Sequence, residues 1–250
     1  ARILDLLIER ARIAQQVGTL KADSDRAVYA PDREAELLRR LLQRDLAPLQ
    51  RDAVTAIFRE IISACRAVEQ QLRICYLGPE HTFSHMAAQT RFGSRCQYLP
   101  APSIADVFRT VEVGEADLGV VPIENSTEGV VAFTLDALLD TSLRICAELY
   151  VPVHHCLMGR GQLSDIRQVH SHPQVLAQCR MWLREHLPAV ELVPTSSTGA
   201  AAAAAAADPA LAAIAPQTAA AAYGLQLLAT NIEDLPNNRT RFFGFGNITP

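Results

Sequence analysis

The segment Pro122-Ile123-Glu124-Asn125-Ser126-Thr127-Glu128-Gly129 sets an amide, two hydroxyls and a conformationally free glycine at the end of the nearly continuous apolar run Asp117 to Val121. Such a run reads as a parallel strand covered on both faces, and open α/β sheets bind ligands beyond the carboxyl ends of their strands. Asn125, Ser126 and Thr127 are therefore candidates to hold a small polar ligand. An Asx or Ser/Thr turn capping the next helix is the plain structural alternative. A second turn, Leu77-Gly78-Pro79-Glu80-His81-Thr82-Phe83-Ser84, follows another short strand, and Thr82 and Ser84 can cap the helix behind it while offering hydroxyls to a ligand. Both readings of that turn hold together.

In the first 72 residues the candidates are charges set into apolar faces. Ile3, Leu7, Arg10, Ala14, Val17 and Lys21 follow heptad spacing, so two cations interrupt a seam that needs paired anions if it is buried. Lys21 is the single lysine among 23 basic residues, which suggests a compact ammonium donor or merely an exposed helix end. Farther on, Phe58, Ile62, Cys65, Glu69 and Leu72 share one helical face, again with a charge in it. Arg33 and Glu34 come from the helix between. Three helices each offering an ionic group to one interior is how bundles build small-molecule sites.

The elements that must position these residues fall into two regions. Residues 1–72 show no strand-like alternation and only one glycine, Gly18, and read as three helices: the chain start to about Lys21, Pro31 to about Arg44, and Arg51 to Leu72. Pro31 suits a first helical turn, and Asp32 and Glu34 suit its positive end. So short a three-helix segment makes a poor core alone, and an intertwined dimer would bury more. From Arg73 onward short apolar strands alternate with helices: about Arg73 to Leu77, Cys96 to Leu99, Asp117 to Val121, Arg144 to Leu157, Gln168 to Ser171, Glu191 to Pro194, Leu211 to Ala215 and Arg241 to Phe245. The Ala200 to Ala207 tract, preceded by Ser197 and Thr198, reads as a capped, packed helix.

At these residues a resemblance becomes plain. Glu9-Arg10, Gln16-Val17-Gly18, Lys21, Asp32-Arg33-Glu34 and the Cys65/Glu69 helix resemble the all-helical chorismate mutase domain. That likeness implies that Arg10 binds a substrate carboxylate and Arg33 helps build the electrostatic site. It also implies that Lys21 and Glu69 flank the ether oxygen and Glu34 accepts from the ring hydroxyl. Ala30 stands where some members carry an acid, and the arginine that the family draws from the partner's first helix falls before the chain start. The two turns above, with Ser171-His172-Pro173-Gln174, Gln178-Cys179, Tyr223-Gly224-Leu225, Ile232-Glu233-Asp234 and Asn237-Asn238-Arg239-Thr240-Arg241-Phe242, resemble prephenate dehydratase over nearly all of residues 73–249. This second likeness implies a two-lobed α/β domain similar to periplasmic binding proteins, with Thr240 as proton donor and Asn125 and Gln178 positioning the substrate. Thr82, Ser84, Ser126 and Thr127 join the binding candidates. Ser171 and Arg241 would bind carboxylates or support the pocket, Arg241 equally as an ion pair. His172 reads as a helix cap or an acid/base group. His81 stands where the family usually has glycine, a strained position if it needs positive φ.

The expected whole is a helical chorismate mutase domain at 1–72 and a prephenate dehydratase domain at 73–250, acting on chorismate and prephenate without cofactor or metal, in the cytoplasm, as a homodimer or higher oligomer. Family members usually continue into an ACT regulatory domain, which is expected to be absent here; the chain opens in mid-helix pattern without Met and is expected to be a fragment. A net charge of -4 argues against nucleic acid, and residues 73–250 carry 11 basic against 16 acidic groups, so an anionic substrate would need local cations. Six cysteines without CxxC or zinc spacing fit small core residues in a reducing compartment. The Ala-rich stretch Gly199 to Ile232 carries Asp208 and is broken by Pro209 and Pro216, which argues against a membrane span. A small-carboxylate sensor of binding-protein fold, or arogenate in place of prephenate, are the competing readings.

Overall fold

The computed structural model describes residues 1–22 and 29–247. Helix α1 (Arg2–Ala22) packs along α3 (Arg51–Glu69), with α2 (Pro31–Leu42) against the same partner. Pro31 opens α2 and Asp32 and Glu34 sit in its first turn, as its sequence dictates. The expected α3 face is buried at Ile62 and Cys65 and half-buried at Phe58 and Glu69. The α1 seam is only half-buried at Leu7, Arg10, Ala14 and Val17, and Ile3 is 77% exposed, because this single chain leaves the far side of α1 uncovered.

After α3 come β1 (Arg73–Leu77), α4 (Phe83–Phe92), β2 (Gln97–Ala101), α5 (Ile104–Glu112), β3 (Leu118–Asn125), β4 (Gly129–Val130), α6 (Ala132–Asp140) and β5 (Arg144–Pro152). The chain then enters a second lobe: β6 (Cys156–Gly159), β7 (Gln168–Ser171), α7 (Pro173–Gln178), α8 (Arg180–His186), β8 (Glu191–Pro194), α9 (Thr198–Ala207), β9 (Leu211–Ala215), α10 (Gln217–Tyr223) and β10 (Gln226–Ala229). It returns as β11 (Arg239–Gly246). The first sheet runs β2-β1-β3-β11-β5 with β4 beside β3; the second runs β10-β6-β9-β7-β8. The lobes are thus joined by two crossings, Val153 to His155 and the segment before Arg239.

Alternation along the central strands fills both faces of the first sheet. Ile74, Tyr76, Leu118, Val120 and Phe242 pack with α4, while Cys75, Val121 and Phe245 pack with Val107, Phe108 and Val111 of α5. In the second lobe Leu157, Val169 and Ile214 face α7 and α8, and Ala213 and Ala215 face Ala201, Ala202 and Ala205 of α9. The alanine tract is the expected packed helix, capped by the Ser197 hydroxyl, which accepts from the Ala200 amide.

Two expectations fail in the strands. The single strand from Arg144 to Leu157 is two strands in different sheets, β5 and β6, separated after Pro152, which cannot donate to a ladder. The short strands β4 and β10 carry too little alternation to have been read. A register shift also interrupts the antiparallel β3–β11 pair: Phe242 opposes Pro122, whereas Arg241 opposes Glu124 and Thr240 opposes Asn125, leaving Ile123 as an extra residue on β3. Pro122, without an amide hydrogen, marks the place where the ladder tolerates the irregularity.

The helical part joins the first lobe at the end of α4. Arg66, 7% exposed, donates to the Phe92 carbonyl at 2.8 Å and to Glu34 at 2.5 Å. Gly93, at φ +84°, lies so close to Ser63 that a side chain there would collide with it.

Candidate active site

A cleft of about 380 Å³ opens between the lobes. Its walls are apolar at Phe83, Val131, Val153, Val175 and Phe242, and polar at Ser84, Asn125, Glu128, His155, Gln174, Gln178 and Thr240. Strand β3 delivers Asn125, β11 delivers Thr240 and α7 delivers Gln178, so the three distant candidates meet in one place. No arginine or lysine is among the described residues lining the cleft, against the expectation that local cations would gather there. The groups of the cleft able to donate to an anion are instead amides and hydroxyls, together with the amino-terminal turn of α4 that carries Ser84.

The direction of the hydrogen bonds follows from groups whose chemistry is fixed. Backbone amides can only donate, and those of Thr127 and Glu128 point to the Asn125 Oδ1 at 2.9 and 3.1 Å. The Asn125 Nδ2 must therefore face the other way, where it donates to Thr240 Oγ1 at 2.8 Å and Asn238 Oδ1 at 3.0 Å. Thr240 accepts in that bond, so its own proton is free to point into the cleft. Asn125 itself has both amide hydrogens engaged. Asn238 passes the polarity on, its Nδ2 donating to Gln178 Oε1 at 3.1 Å, while Gln178 Nε2 donates to the Glu128 carboxylate at 3.0 Å across the cleft. Hydrogen bonds from Gln174 and Gln178 hold the Glu128 carboxyl below its ordinary range.

His155, 1% exposed, meets the same Gln178 Oε1 with its Nε2 at 2.8 Å. Burial pushes its imidazole below the ordinary histidine range, against the opposing pull of the Gln178 bond, and burial with the neighbouring His81 does the same to His85. Both are neutral in the fold and take up protons on unfolding, so the stability they confer is present above about pH 6.5 and lost as pH falls below it. The thermal midpoint is expected to drop between pH 7 and 5 and to drop less in His155→Gln; an unchanged slope in that variant would refute the contribution.

The other candidates are placed as follows. Ser84 lines the cleft, whereas Thr82 caps α4 by accepting from the His85 amide and donates to the Pro79 carbonyl. Ser126 accepts from the Arg239 amide and Thr127 donates to Asn125, so both brace the loop. Ser171 is fully buried and donates to the Ile214 carbonyl, a support for the second sheet. Arg241 lies on the other face of β11 from Thr240, bonded to Glu148 at 2.6 Å with Glu124 at 3.7 Å and stacked over Phe243, the ion-pair alternative. It lines a separate open depression of about 480 Å³ with Glu124, Ser126, Tyr150 and Arg239. His172 caps α7, accepting from the Gln174 amide, and His81 adopts φ 61°. A histidine there occupies the left-handed region that glycine reaches without strain.

In the helical part Arg10 is half-buried and donates to the Ile61 carbonyl at 3.4 Å, and Gly18 of α1 sits directly on Glu69 of α3, where an added Cβ would come 2.6 Å from its Cγ. Lys21 lies at the end of α1, and its side chain is outside the described residues. Arg33 is exposed. Glu34 departs from the expected bundle-interior position: it is paired with buried Arg66 and lies 4.0 Å from Arg91, because these cations at the junction with α4 attract the nearest carboxylate. His155 and Asn238 were not singled out as site residues. Asn238 had one signal, its position two residues before Thr240 on an extended chain; His155 had none, because its importance comes from the lobe crossing.

Fold and cleft define a two-lobed α/β protein with a cleft of mixed polar and apolar lining between its lobes, preceded by a helical segment. Residues 74–248 match the prephenate dehydratase family and residues 1–70 match chorismate mutase type II. The chain is 46% identical to the bifunctional chorismate mutase/prephenate dehydratase of Stutzerimonas stutzeri over 98% of its own length and 69% of that protein's. It is 40% identical to the protein of the same description from Aquifex aeolicus, covering 96% and 68%. A solved prephenate dehydratase from Arthrobacter aurescens, in complex with L-Phe, superposes with a TM-score of 0.67 at 39% identity, covering 72% of this chain and 61% of that one. The chain belongs to the bifunctional chorismate mutase/prephenate dehydratase family.

Proposed function

We propose that residues 1–72 rearrange chorismate to prephenate and residues 73–250 convert prephenate to phenylpyruvate, two consecutive steps towards phenylalanine. The observation that carries the dehydratase half is the polarity of the Asn125–Thr240 bond, which leaves the Thr240 proton available to the cleft. In prephenate the bond from the ring to its carboxylate breaks, the electron pair completes the aromatic ring, and the ring hydroxyl departs from the opposite carbon. A proton from Thr240 lets it leave as water; the Asn125 amide stabilises the oxygen left behind until solvent returns a proton. Carbon dioxide, water and phenylpyruvate result, with one proton consumed. The apolar walls at Phe83, Val153 and Phe242 favour neutral carbon dioxide over the carboxylate it came from. Thr, Ser and amide donors would hold the second carboxylate, with Ser84 nearest the helix end.

For the mutase half, a pericyclic rearrangement needs no covalent catalyst, so fixed charges and a compact substrate conformation carry the rate. Arg10 would bind a carboxylate, with Lys21 and Glu69 at the ether oxygen. Arg33 and Glu34 would complete the site, Glu34 after leaving Arg66. The exposed apolar side chains Ile3, Leu4, Leu6 and Ile13 of α1 support a homodimer in which a second copy covers that helix. Six free cysteines and no helix among the described residues long and apolar enough to cross a membrane are consistent with the cytoplasm.

The test supplies chorismate or prephenate separately and follows phenylpyruvate by its ultraviolet absorbance. Phenylpyruvate is expected from both, and the chorismate-dependent rate per chain is expected to fall on dilution while the prephenate-dependent rate does not. Binding of prephenate without product would replace the enzyme by a sensor.

A further inference from the structure

The orientation of Gln178 is not free. Glu128 presents a carboxylate, which can only accept, so the group 3.0 Å from it must be the amide nitrogen of Gln178. The oxygen of the same amide then faces inward, where it lies 2.8 Å from His155 Nε2 and 3.1 Å from Asn238 Nδ2. An oxygen cannot donate, so the imidazole must carry its proton on Nε2. His155 Nδ1 is left bare and buried, with no partner among the described residues. Its position is fixed from two further sides: the backbone amide of His155 donates to Glu233 at 2.8 Å, and the ring stands edge-on to Phe83 with centroids 5.6 Å apart.

We propose that His155 is a positioning residue for the dehydratase reaction, holding the Gln178 amide with its NH2 turned to the cleft by donating from Nε2 to Gln178 Oε1. Without that donor the amide can rotate and present oxygen to the cleft, where a carboxylate substrate would meet an acceptor in place of a donor. Asn238 supplies a second donor to the same oxygen, so the bias is shared. Glu128 occupies the outward NH2 until substrate displaces it. The inference rests on the dehydratase reading for its kinetic consequence, and on the hydrogen-bond geometry alone for the tautomer.

The experiment uses the full chain. His155→Phe keeps a ring and removes the donor; it is expected to lower prephenate turnover by on the order of 10-fold or more, as misplacing a substrate contact does. His155→Gln, which returns an N–H near the Nε2 position, is expected to recover most of that loss. In a Gln178→Ala background His155→Phe should cost little more, because the amide it orients is gone. An equal loss in both backgrounds, or no recovery by Gln, would reduce His155 to packing and overturn the proposal. Nitrogen-15 spectra of the wild-type imidazole provide an independent check: a protonated Nε2 and bare Nδ1 are expected, and the opposite tautomer overturns it even if the Phe variant fails to fold. If the wild type turns over no prephenate, the dehydratase reading and the kinetic role fall together, while the spectra still decide whether His155 holds Gln178.

Discussion

Replacing Thr240 with alanine is expected to lower prephenate turnover by roughly the 10²- to 10⁴-fold typical of losing a positioned proton donor, with little change in prephenate affinity. Thr240 is 9% exposed and sits inside paired strands, so removing its hydroxyl and methyl leaves the backbone ladder to Asn125 and Val151 intact. The loss should fall on turnover because the hydroxyl's contribution grows as the leaving oxygen gains charge, whereas the ground-state substrate is held by other donors. Thr240→Ser, which keeps the oxygen that Asn125 addresses, should retain most of the rate. Paired measurements of turnover and prephenate binding decide it: wild-type turnover in the alanine variant, or a defect confined to affinity, removes Thr240 from the chemistry.

Phe245→Ala is expected to cost about 3–5 kcal/mol of stability, the range for emptying a buried aromatic site. The ring is fully buried and stacked on Phe108, centroids 4.1 Å apart and planes 12° from parallel. The far end of the ring lies over Gly119, where any side chain would strike it, so the surroundings are shaped to this ring and have little freedom to close the cavity. Gly119→Ala should destabilise as well, by about 1–3 kcal/mol, through overpacking. Denaturant midpoints read on a signal from the α/β part, with the slope monitored for loss of two-state behaviour, supply the measurement. A loss under about 1 kcal/mol for Phe245→Ala would mean that the sheet face relaxes around the hole.

Much of this architecture can be read from local chemistry. Pro31, the Thr82 and Ser197 hydroxyls and the His172 ring mark helix starts because an amide end needs a cap, and that need is settled within four residues. Asn125 could be named because it sits in a short polar motif beside an apolar strand, and Gln178 and Thr240 because their motifs resemble those of prephenate dehydratase; the fold brings all three to one cleft. What stayed hidden depends on the third dimension. Nothing near Glu34 announces that Arg66 and Arg91 will be its neighbours, because those cations reach it from α3 and α4. The split of β5 from β6 was hidden because apolar residues recur on both sides of Pro152 and the one stretch serves two sheets in turn. His155 is one residue of that crossing, and its partner Gln178 is 23 positions away on another element.

The extra residue at Ile123 gives the strand pair a half-step of phase. Counted back from Phe242 and Pro122 by strict alternation, Thr240 would stand opposite Glu124; with Ile123 inserted it stands opposite Asn125. The same stretch of sequence, read one place out of step, would set a carboxylate beside the hydroxyl and an acceptor where a donor is required. What neighbours Thr240 is therefore decided by counting as much as by composition, and an alignment that closes up this one position would carry every residue name correctly and still describe a different chemistry.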